Sequence, residues 1–188
     1  MSDNHSPAQL EFHFATAARA VARGGSQAGS LTTLLHIGSE HAVVLSGQGD
    51  KPDQVQQLDL GTARIASDFF RHDPPASHEI ERAIDFVEDQ IMRLGRQGDV
   101  ATTLWSTSPA LQAFGAVAGP TMPIETVEQW FQRLASASLG HPGAMQGLPS
   151  GREAAAALLV LREFMHHRGH ASVVVIDVPD AAAAVRHP

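Results

Sequence analysis

Apolar positions cluster early in the chain. Leu31 to Ile37 and Ala42 to Leu45 are rich in Leu, Val and Ile and are interrupted only at Gly38, Ser39 and Glu40, which predicts a β-hairpin with its tip at those residues. A second turn falls at Gly47 to Pro52, and Val55 to Leu60 then alternate apolar with polar up to Gly61, so the segment reads as three consecutive antiparallel strands.

Beyond Gly61 the apolar period changes to that of a helix. Thr62 to Arg71 predict a helix that stops at HDPPAS, where paired prolines forbid extension. From His78 to Leu94, residues Ile80, Ile84, Val87, Ile91 and Leu94 form one stripe, with Glu79, Arg82, Glu88, Asp89 and Arg93 mostly on the other side. Val100 to Trp105 predict a short strand, and Pro109 to Val117 a helix after a Ser-Thr-Ser-Pro turn. Pro123 suits the first turn of the next helix, in which Ile124, Val127, Trp130, Phe131 and Leu134 face one way, and Ser136 to Ser150 read as a loop. The last long helix runs from about Arg152 to His167 with Gly169 as its C-terminal cap, and Ser172 to Asp177 predict a strand buried on both faces. The alanines at 181–184 predict a short terminal helix.

Residues 1–7 carry no such pattern, Ala8 to Arg23 predict a modest helix, and GGSQAGS at 24–30 reads as a flexible joint. The division expected is an N-terminal arm over 1–30 and an α/β domain over 31–188, with Leu34, Ile37, Val43, Leu45, Val174 and Ile176 in its core.

Composition narrows the function classes. Against 20 acidic residues stand 13 Lys and Arg, a net charge of -7 that argues against a sequence-independent nucleic-acid surface. There is no cysteine, hence no disulfide and no thiolate metal site, and no apolar run approaches the roughly 20 residues that span a bilayer. The expectation is a protein of the cytoplasm with no nucleic-acid and no membrane partner.

The order of elements is that of the ribonuclease-H-like class used by actin and sugar kinases: a mixed sheet of about five strands with flanking helices. Within that class LLHIGSEHAVVLSG, QLDLGTARIASDFF and DPPASHEIERAIDFVEDQI resemble, in order and spacing, the C-terminal part of the exopolyphosphatase/guanosine-pentaphosphate phosphatase family. WSTSPALQAF is similar to that family's second glycine-rich turn, and IETVEQWFQRL and GLPSGREA to its later stretches.

The resemblance implies a phosphate site at the hairpin tip and the second turn, hence at Gly38, Ser39, Glu40, Asp59, Arg64, Ser106, Thr107 and Ser108. The residues depart from the pattern there. Where the family has an acid, two further glycines and a serine, this chain has His36, Ser39, Glu40 and His41, and Ser106 to Ser108 replace Gly-Gly-Thr. A phosphate cradle needs backbone amides that glycines leave open, and Glu40 adds a carboxylate beside any bound polyanion. The family's N-terminal half, which carries its water-activating acid, finds no match in the chain. No catalytic role carries over to any position.

The expectation is therefore a non-catalytic binding or regulatory module without a cofactor. It would work as a homo-oligomer or with a protein partner, or bind a phosphorylated small molecule. Two alternatives stay open. One is an active, magnesium-dependent phosphohydrolase on polyphosphate, guanosine pentaphosphate or a nucleotide. The other is a metal-binding module using His36 and His41 at the hairpin. His166, His167 and His170 read better as helix-end histidines favoured by the dipole than as a metal cluster. Asp59 and Arg64 could equally be structural, Arg64 pairing with Asp68 one turn on, and Arg152 has the same ambiguity.

Overall fold

The computed structural model describes residues 6–23, 31–95, 104–118 and 121–176. Six strands form one sheet: β1 (Thr32–Ile37), β2 (Ala42–Gly47), β3 (Gln54–Leu58), β4 (Leu104–Ser106), β5 (Thr121–Pro123) and β6 (Ser172–Val175). Their order is β3-β2-β1-β4-β6-β5, with β1–β2 and β2–β3 antiparallel, β1–β4 and β4–β6 parallel, and β5 antiparallel to β6. The helices are α1 (Pro7–Arg23), α2 (Thr62–Phe69), α3 (Ser77–Met92), α4 (Pro109–Ala118), α5 (Ile124–Ser138) and α6 (Arg152–Arg168). The meander and the mixed sheet are as the sequence predicts, with one strand more than expected.

The extra strand is β5, only three residues long and so too short to show a period in the sequence. It pairs through Met122, fully buried opposite Val173, and its Pro123 is tolerated because β5 is an edge strand that needs hydrogen bonds on one side only. The expected loop over Ser136 to Ser150 begins later, after α5 ends at Ser138, and contains a short 3-10 turn at Pro142–Met145. The expected strand residues 100–103 and Asp177, the joint over 24–30 and the terminal alanines lie outside the described residues.

The two faces of the sheet are covered unequally. Leu35, Ile37, Val44, Leu104, Val173 and Val175 belong to the larger core shared with α2 to α6. Helix α6 is buried through the whole run Ala155 to Leu161, because it lies among α2, α3, α4 and α5 and has no solvent side there. Gly169 ends it with φ 70°, the left-handed cap that the sequence suggests. The opposite face is covered, among the described residues, by α1, whose Leu10 and Phe14 pack with Leu34 and Leu45.

That asymmetry corrects part of the expected core. Leu34, Ile37 and Leu45 are buried, but Val43, Val174 and Ile176 are only half-buried. Strand β6 accordingly alternates buried and half-buried residues instead of being sealed on both faces. One helix cannot cover a whole sheet face, so side chains toward its margins stay partly wet. Helix α1 itself lies against β1 and is not part of the sheet.

Candidate ligand site

The parallel pairing of β1 and β4 sets Leu35 opposite Ser106, so the turns after both strands lie side by side. In open α/β sheets this carboxyl end is where ligands bind. The topology thus brings together both segments that the sequence singles out. Their detailed contacts decide what the site can hold.

At the hairpin tip the Gly38 N–H donates to the His41 carbonyl at 2.9 Å, closing a tight turn. The carbonyls of this turn point at the start of α2. The Thr62 N–H donates to the Gly38 carbonyl at 2.9 Å, and the N–H groups of Ala63 and Arg64 donate to the Ser39 carbonyl at 3.0 and 3.2 Å. The Ile65 N–H then takes up the Gly61 carbonyl at 2.9 Å, the helix's own pattern. A helix N-terminus ordinarily leaves its first N–H groups for a cap, water or an anion. Here the hairpin fills them.

This docking explains Gly61. A Cβ at that position would lie 2.1 Å from the Ser39 carbonyl oxygen and 2.2 Å from the Glu40 carbonyl carbon, so only glycine lets the turn approach. The most compact stretch of the sequence resemblance, DLGTAR, therefore has a packing reason at its glycine.

Asp59 and Arg64 form the outer rim. Asp59 Oδ1 lies 3.0 Å from Arg64 Nη1 and 3.4 Å from His41 Nδ1, while Arg64 Nε is 3.9 Å from Asp68 Oδ2. The anticipated Arg64–Asp68 pair exists but is longer than the one to Asp59. Two carboxylates thus flank the Arg64 guanidinium, and Glu40 is exposed at the same hairpin tip, a poor setting for a polyanion.

The second turn is closed as well. Ser106, Thr107 and Ser108 are fully buried. The Ile37 N–H donates to Ser108 Oγ at 2.6 Å, and the Ser106 and Ser108 hydroxyls are 2.9 Å apart. His36 is 3% exposed, with Nδ1 3.1 Å from Thr107 Oγ1. The two histidines of the hairpin are thus held differently, His36 inside against the second turn and His41 outside on Asp59. Among the described residues, the trio of groups spaced to hold a metal lies elsewhere, at Glu88, Glu163 and His167.

Arg152, at the first turn of α6, donates from Nη1 to the Phe70 carbonyl at 3.0 Å. It lines a cleft of about 310 Å³ between α2 and α6, with Glu153 beside it. Of the C-terminal histidines, His166 pairs with Glu128, His167 is 3.3 Å from Glu88 Oε1, and His170 is buried with its ring stacked on Phe164.

One functional-looking group escapes sequence reading. Glu79, placed by periodicity on the polar side of α3, is 3% exposed. Burial raises its pKa, but hydrogen bonds from the Ala76 and Arg71 N–H groups, the His72 ring and the His72 N–H outweigh it and lower the pKa to about 2. The carboxylate organises the turn before α3. The available signal was its place three residues after Ala76, where a glutamate reaches back to the N-cap backbone.

Solved structures share this arrangement of elements. A Ppx/GppA phosphatase of Aquifex aeolicus, a type II variant, matches with a TM-score of 0.66 at 17% identity, over 87% of this chain and 58% of that one. An Aquifex aeolicus member of the Ppx/GppA family gives 0.64 at 16% identity, over 89% and 58%. An exopolyphosphatase from Cytophaga hutchinsonii gives 0.61 at 14% identity, over 87% and 60%. No family model and no curated protein matches the sequence. The described residues include no helix long and apolar enough to cross a membrane. The sequence resemblance and the structural matches point the same way: the chain has the fold of the Ppx/GppA exopolyphosphatase structures, spanning about three-fifths of the length of those compared.

Proposed function

We propose that this chain is a non-catalytic, exopolyphosphatase-like domain that serves the cytoplasm as a binding or regulatory module, with a second copy of itself or another protein as partner. The observation that carries the reading is the saturated N-terminus of α2, whose first N–H groups are taken by the Gly38 and Ser39 carbonyls. The buried, mutually bonded hydroxyls of Ser106 and Ser108 and the acidic rim support it. A phosphate would have to displace intramolecular bonds and sit beside carboxylates.

Support for a protein partner comes from strand β3. It is an edge of the sheet, and its Gln54, Val55 and Gln57 are exposed, Val55 to 59%. An edge strand with an exposed apolar side chain offers unpaired backbone groups to another strand. Two assays test the proposal together. Light scattering after gel filtration should show a dimer that reverts to monomer in Val55→Lys, and polyphosphate or guanosine pentaphosphate with magnesium or manganese should release no phosphate. A monomer that releases phosphate, and stops in Asp59→Asn, makes the magnesium-dependent phosphohydrolase the better reading.

A further inference from the structure

We infer that Glu88, Glu163 and His167 form a divalent-cation site where α3 packs on α6, of the kind zinc occupies. Glu163 and His167 stand four residues apart on α6 and so share one helix face, and Glu88 reaches them from α3. His167 Nε2 is 3.3 Å from Glu88 Oε1 and 3.8 Å from Glu163 Oε2, and the three ligand atoms lie within 4.8 Å of one another. Two donors on a tetrahedral zinc, each bonded at about 2.0–2.2 Å, are themselves about 3.3–3.6 Å apart. The His167–Glu88 pair already stands at the separation a zinc ion imposes, and the other pairs, at 3.8 Å and within 4.8 Å, would close onto the ion.

A second feature lies in how Glu163 is held. Only 3% exposed, it is a carboxylate placed inside the helix packing, and its two oxygens have different tasks. Oε1 is paired with Arg162, whose Nε binds Glu128 Oε1 at 3.0 Å and whose guanidinium lies 4.5 Å from the Phe131 ring centroid. Oε2 is left facing His167 at 3.8 Å, beyond hydrogen-bond length. A ligating carboxylate fixed from behind by a hydrogen-bond donor is the usual outer-shell support of a metal site. His167 is exposed and Glu88 half-buried, so a cation can enter from solvent and keep water in its remaining position. Two carboxylates and one imidazole suit a borderline divalent ion better than a soft one. Bound there, the ion would clamp α3 to α6.

Titration of the whole chain with zinc chloride, and with cobalt chloride followed by visible absorption, tests the site. One ion per chain is expected, with affinity lowered at least about tenfold in His167→Ala and in Glu88→Gln, and kept in His41→Ala. Glu88→Gln guards against a folding artefact, since Glu88 is half-buried on the rim of the site. Melting temperature should rise with zinc in the wild type and not in these two variants. Absence of saturable binding overturns the inference, and so does binding that His167→Ala and Glu88→Gln leave unchanged. Loss in His41→Ala instead would move the metal to the hairpin and equally overturn it.

Discussion

A Cβ built on Gly61 falls 2.1 Å from the carbonyl oxygen of Ser39, so the start of α2 and the hairpin tip are in backbone contact. Gly61→Ala must push the turn away and break the bonds that Thr62, Ala63 and Arg64 make to it. The expected loss is about 1–3 kcal/mol, as for other overpacked sites, read from urea denaturation.

Acid stability should depend on Glu79. Its folded pKa of about 2 lies below the ordinary 4.5, so the stability it contributes is present above pH 4.5 and is lost as pH falls toward 2. Glu79→Gln should be less stable than wild type at pH 7, and the gap should narrow below pH 4.5. Thermal melts at stepped pH check this, and parallel curves for the two proteins would refute it.

The buried hydroxyls are structural in this account. Ser108→Ala leaves the Ile37 N–H without its 2.6 Å acceptor, which should cost about 1–3 kcal/mol. Asp59→Asn removes ion pairs that are roughly half exposed and should cost under about 1 kcal/mol. Denaturant titration of the two variants distinguishes them, and equal losses would count against the burial argument.

Helix α1 offers a test of a different kind. Phe14 is fully buried against Leu34 and Leu45, so Phe14→Ala should cost about 3–5 kcal/mol, as large core truncations do. A loss under about 0.5 kcal/mol, typical of surface changes, would mean that the helix is only loosely attached.

Much of this was legible in the chain. The meander showed because Leu31 to Ile37 and Ala42 to Leu45 are local apolar runs, and α6 because its length and cap are both encoded nearby. The location of the candidate site followed from the same segments. Its closure did not. That Gly38 and Ser39 present carbonyls, not N–H groups, to α2 is a matter of turn geometry, and nothing in their side chains signals it. Packing of α1 on Leu34 was hidden behind the Gly-rich stretch at 24–30, and β5 was too short to show a period. The Glu88–Glu163–His167 group was missed because Glu88 reaches it only through the crossing of α3 and α6.

We propose that the start of α2, whose first N–H groups are taken by the hairpin's own carbonyls, holds no phosphate. Calorimetric titration of the wild-type chain with polyphosphate in the presence of magnesium addresses it most directly. The account expects no saturable heat, because the donors of α2 are already bonded to Gly38 and Ser39. Saturable binding with a dissociation constant near micromolar, about 8 kcal/mol of binding free energy, that weakened in Arg64→Ala would contradict it.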